Sequence, residues 1–253
     1  MVDDTPLSTF FKRLGRVEDI SMRVGLICER IGGASLEEGL QFIDVAQDRA
    51  GRGQADAQLT FLALGWALFE PRLAERRTEL GSEARARQLH HLADFLIRPA
   101  DQDVEDSARR VPDFGRGRPL TLGERKSLAR THDRNLIQRV VHDPHPDVVR
   151  ILLDNPALTE DDVVRICAMR PNDPGVLQTV YRHRRWVVRY RPRHAILRNP
   201  ACPLDTALLL APLLRPAELK EASIASGLSP ALRLLCRSLI ERREGQSKPP
   251  AAT

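Results

Sequence analysis

The chain has 253 residues, 42% hydrophobic, 29% charged and only 4% aromatic, with a formal net charge of +5. That composition excludes an intrinsically disordered chain and leaves length for one large or two small domains. The longest nearly unbroken apolar run, Leu59 to Phe69, falls well short of the ~20 residues that span a bilayer, so no membrane partner is expected.

Helical periodicity begins early. Ile20, Val24, Ile27 and Ile31 share one face of a helix that Gly32 and Gly33 end. Ser35 and Glu38 form a capping box opening a second helix, with Leu36, Leu40 and Ile43 on its apolar face and Gly51 as its C-cap. Asp56 to Phe69 is apolar nearly all round and is stopped by Pro71, the pattern of a central helix. A fourth helix is predicted over Glu83 to Ile97, with Leu89, Leu92 and Leu96 on one face. Residues 1–99 therefore read as a helical bundle. His90 and His91, on adjacent positions, point to different faces and read as surface residues.

Residues 100–119 change character, with acids at Asp101, Asp103, Glu105 and Asp106 and then Pro112, Gly115, Gly117 and Pro119. This is predicted to be a linker in which Arg109, Arg110, Arg116 and Arg118 are open to trypsin. At the other end, 244–253 is expected to be a disordered tail.

Between them the chain repeats itself. Asn155-Pro156-Ala157 recurs 44 positions later as Asn199-Pro200-Ala201, and Leu120-Thr121 recurs as Leu158-Thr159. Asp133, Leu136, Ile137, Gln138 and Val140 match Asp173, Val176, Leu177, Gln178 and Val180 at an offset of 40. Three copies of a three-helix unit follow, from about Leu120 to Asp154, Leu158 to Arg198 and Cys202 to Ile240. Each has a capped first helix and a closing helix, predicted over Pro146 to Leu153, Tyr190 to Leu197 and Pro230 to Ile240. Units of about 40 helical residues that stack to bury an apolar face characterise HEAT and armadillo solenoids.

The Arg150 and Asn155-Pro156 pattern, repeated as Arg193 and Asn199-Pro200, resembles bacterial HEAT-like repeats of the leucine-rich-variant type. The resemblance covers about half the chain and implies a short α-solenoid of about three repeats over 120–243, which with the N-terminal bundle read over 1–99 makes the expected fold all-α. The prototype of that type carries an N-terminal cysteine cluster for an iron–sulfur centre. Here Cys28, Cys167, Cys202 and Cys236 are scattered, so that role is not carried over and a reducing cytoplasm is expected.

Charge is uneven. Residues 1–100 carry 13 basic and 15 acidic side chains, whereas 120–253 carry 22 and 14. Within Tyr181 to Arg198 there are seven arginines and no acid. Read as one helix up to Pro192, this segment places Arg182, Arg185 and Arg189 on one face beside Trp186 and Tyr190. Together with Arg184, Arg191 and Arg193 they form the candidate interaction surface, while Trp186 and Tyr190 read as packing between repeats. Arginine beside aromatics also suits phosphates and stacked bases, so nucleic acid is the alternative partner.

His142, Asp143 and His145 have metal-ligand chemistry, but Asp143-Pro144 and His145-Pro146 read better as turn formers. No Walker loop, nucleophile elbow or H-E-x-x-H motif occurs in the chain, and neither a metal nor a cofactor is expected. The expected function is a non-catalytic scaffold that binds another protein, a second copy of this chain included.

Overall fold

The computed structural model of the chain describes residues 6–96, 111–114 and 117–247, and among them it is all-helical. It divides into two compact units. One comprises Met1–Pro99, Leu208–Ala225 and Pro230–Thr253; the other comprises Ala100–Ala207 and Ser226–Ser229. None of the described helices is long and apolar enough to cross a membrane.

The first unit opens with α1 (Pro6–Gly15), α2 (Ile20–Gly33), α3 (Leu36–Gly51) and α4 (Ala55–Leu68). Asp19 and Ser35 accept the N–H groups of Met22 and Glu38, so α2 and α3 both begin at side-chain caps. α3 runs through Gly51, and the glycine with positive φ (+82°) is Gly53, which lets the chain turn toward α4. α4 is buried on nearly every side, with Phe61, Leu62, Leu64 and Leu68 all at or below 1% exposure, and it packs on α2 and α3. Each such side chain contributes about 1.5–3 kcal/mol by leaving water. Phe42 lies under Phe11 with centroids 5.1 Å apart.

The single helix predicted over Glu83 to Ile97 is two helices, α5 (Ala74–Ala86) and α6 (His90–Leu96). Gln88 sits at φ 59°, the Gln88 N–H bonds Arg85 O and the Leu89 N–H bonds Ala84 O. That is a six-to-one helix stop built on glutamine, where glycine is the usual sign.

The remainder of this unit comes from the far end of the chain. It resumes at Leu208, within α14 (Leu204–Leu210), and takes in a 3-10 turn over Ala211–Leu213, α15 (Pro216–Ile224) and α16 (Pro230–Ser247). Gln58 Nε2 donates to Leu213 O, Arg242 pairs with Asp44 at 2.9 Å, and Arg243 donates to Leu214 O and Pro212 O. The 120–243 unit expected from sequence is thus divided: α15 and α16 belong with α1–α6. The expected tail over 244–253 is also corrected at its start. α16 continues to Ser247, with Lys220 3.6 Å from Glu244, and residues 248–253 lie outside the described residues.

Asp44 ties three helices together, since His91 Nε2 on α6 also lies 3.0 Å from its Oδ1. The hydrogen bond from His91, followed by Arg242, holds this half-buried carboxyl below the usual aspartate range. A depressed folded value stabilises above the unfolded value and is lost on acidification through the folded one. Stability should therefore fall as pH drops below about 4, and Asp44→Asn should flatten that acid limb. Melting temperatures of both chains from pH 6 to pH 3 measure it; parallel curves would remove Asp44 as a determinant.

The predicted linker falls mostly outside the described residues, including Arg109, Arg110 and Arg116. Of its described part, Phe114 is buried and Arg118 is paired with the Glu124 carboxylate.

Candidate functional site

The second unit is built of matching helical triplets. α7 (Leu122–Leu128), α8 (Arg134–Val140) and α9 (Pro146–Leu153) are followed by α10 (Glu160–Ala168) and α11 (Pro174–Arg182). After these come a single turn, α12 (Arg184–Val187), and α13 (Tyr190–Leu197). Thr121 and Thr159 open α7 and α10 with capping boxes to Glu124 and Asp162, and Asp133 and Asp173 cap α8 and α11.

The Asn-Pro motifs explain themselves here. Asn155 is 4% exposed; its Nδ2 donates to Ala129 O and Thr131 O, and its Oδ1 accepts from the Ala157 N–H. Asn199 is 2% exposed and repeats these bonds with Cys167 O, Met169 O and the Ala201 N–H. Each asparagine closes a triplet by bonding the carbonyls that end its first helix, which otherwise have no partner inside the helix.

The arginine segment is not the continuous helix expected from sequence. His183 (ψ 110°) and Arg189 (ψ 138°) are extended and break it twice, so Arg182, Arg185 and Arg189 lie on three different elements and share no helix face. Trp186 is 1% exposed, and its Nε1 donates to Leu153 O, at the end of α9, at 2.9 Å. Tyr190 is only half-buried and belongs to the next helix, so a common face with Trp186 is not what buries the indole.

The six candidate arginines divide by environment. Arg189 pairs with Glu160 at 2.9 Å and Arg191 with Asp161 at 2.6 Å, both acids lying in the first turn of α10. The guanidinium carbons of Arg185 and Arg189 stand 4.5 and 5.2 Å from the Trp186 ring centroid. Arg182, Arg184 and Arg185 are exposed. Arg193 is not on the surface at all: it is 6% exposed, with its guanidinium 5.7 Å from the Tyr190 ring. A contiguous six-arginine surface is therefore absent, and two of its charges are compensated within the unit.

The histidine motif is engaged structurally. His145 Nδ1 accepts the Asp147 N–H as the cap of α9, and Asp143, fully buried, takes both its oxygens to Arg125 at 2.7 and 2.9 Å. No group of three or more potential metal ligands occurs among the described residues. Sequence reasoning missed the Arg125 and Asp143 pair because 17 residues and a helix separate its members. The cysteines are free thiols; burial pushes up those of Cys167 and Cys202, and that of Cys236 to about 11, which keeps them protonated at neutral pH.

The chain matches no family model, no curated protein and no solved structure.

Proposed function

We propose that this chain is a non-catalytic interaction scaffold of HEAT-like, α-solenoid type, working in the cytoplasm, and that it docks on another protein through α15 and α16. Support for the repeat reading is the identical bonding of Asn155 and Asn199 and the way α9 packs on α11 and α10 on α13. The observation that carries the docking reading is a pair of large aliphatic side chains. Ile224, at the end of α15, is 76% exposed, and Leu234, on α16, is 67% exposed, on two helices packed on each other. Apolar side chains held in water at that level gain most from a protein partner, and a second copy of the chain is the first partner to test.

Light scattering over a hundredfold concentration range tests this on the full chain and on Leu234→Glu. A mass that rises with concentration and returns to the monomer value in the variant identifies self-association. A partner recovered from the native cell by the parent chain and lost by the variant identifies a heterologous contact. Equal mass and equal recovery from both chains would end this reading.

The exposure of Arg182, Arg184 and Arg185 within four residues favours the second reading, a nucleic-acid contact. It requires an affinity that falls steeply with salt and that Arg182→Glu with Arg185→Glu abolishes without unfolding the chain. A salt-insensitive or absent affinity removes it.

A further inference from the structure

The helices of the two triplets in the second unit begin at side-chain acceptors, Thr121, Asp133, His145, Thr159 and Asp173, with two exceptions, the single turn α12 and the eight-residue α13. α13 has Arg189 at its N-cap, which offers no acceptor, no side-chain cap bond and no acid in its first turn. A helix start of this kind carries partial positive charge. Arg193, fourth residue of the helix, adds a full one.

Arg193 is 94% buried, yet no hydrogen bond or ion pair reaches its side chain from any described residue, and its buried Nε has no partner. Its guanidinium lies over the ring of Tyr190, the first residue of α13, so the side chain runs back toward the helix start. Glu160 and Asp161, the acids at this end, are engaged by Arg189 and Arg191. The preceding triplet shows that packing alone does not call for arginine here. Although the sequence pattern sets Arg150 against Arg193, the helices correct that register: Val149 is the fourth residue of α9, as Arg193 is of α13, and is fully buried. Burial without a counter-charge also pulls the Arg193 guanidinium down to about 10. A buried cation is costly to leave unpaired, and arginine takes carboxylate or phosphate oxygens in a bidentate grip.

We propose that the first turn of α13 is a binding site for a small oxyanion, a phosphate or carboxylate group, gripped by the Arg193 guanidinium at the uncapped helix start. This site is independent of any docking through α15 and α16. Its ligand group supplies the negative charge that the capped helix starts of the two triplets draw from their own cap or first turn.

The test is thermal melting and isothermal titration of the full chain in a low-salt buffer, with sodium phosphate, sodium acetate and sodium chloride at equal ionic strength. Phosphate or acetate should stabilise saturably beyond chloride, the stronger of the two identifying the group preferred. Arg193→Val, which installs the residue of the preceding triplet, should weaken that binding by about tenfold or more. Without added oxyanion it should melt no lower than the parent chain. Arg193→Gln, which removes the charge with less change in length, should lose the response in the same way and decides the matter if the valine chain does not fold. A response identical to chloride, or one that both variants retain, would overturn the proposal.

Discussion

A Trp186→Ala chain is expected to lose about 3–5 kcal/mol of stability, because the substitution empties a large site in the interior of the second unit. Trp186 is 1% exposed and also donates its indole N–H to Leu153 O at 2.9 Å, so the variant forfeits both packing and a buried hydrogen bond. In a chain of this size the loss should lower the melting temperature by roughly 10 °C. Trp186→Phe keeps most of the ring while removing the donor, and should fall between the two. The result bears on function as well as fold. A ring buried under Arg185 and Arg189 is not presented to a nucleic-acid base, whereas a stacking residue on the surface would affect binding and leave melting untouched. An unchanged melting temperature in Trp186→Ala would refute this account of the segment.

The second large effect is expected at the buried ion pair of the first triplet. Arg125 is 8% exposed and Asp143 is fully buried, so Arg125→Val strands a carboxylate in the interior and should cost about 3–5 kcal/mol. The second triplet shows how the same place is filled without charge. Val163 follows the N-cap Thr159 by four residues, as Arg125 follows Thr121, and Val187 precedes the N-cap of α13 by two, as Asp143 precedes that of α9. Both valines are fully buried. Arg125→Val combined with Asp143→Val should therefore recover most of the loss, leaving mainly the His145 N–H, which Asp143 now accepts, without its partner. Denaturant titrations of the parent, the two single variants and the double variant give the coupling, expected to be about 2 kcal/mol or more. Strict additivity would mean that the two side chains do not act as a pair.

These two positions show the limits of reading one triplet by itself. The amino-acid sequence alone determined that the chain is helical and where many helices begin. The starts of α3, α9 and α10, and the C-terminal ends of α9 and α13, follow from Ser35, Pro146, Thr159 and the Asn-Pro motifs, because capping and proline geometry act within a few residues. It also marked Asn155 and Asn199 as equivalent, although their carbonyl partners, some 24 to 32 residues earlier, became visible only in the fold. The tertiary structure decided the rest. Gln88 stops α5 in a conformation that favours glycine, and His183 and Arg189 interrupt a pattern that periodicity alone reads as one helix. The pairing of Asp44 with Arg242 places α16 in the first unit across 198 residues, and no local window contains both partners. Arg193 has the composition of a surface residue and the burial of a core one. Helix starts depend on bonds between near neighbours and are legible in order along the chain, whereas burial and charge pairing depend on which distant segments meet, and that is settled only when the whole chain packs.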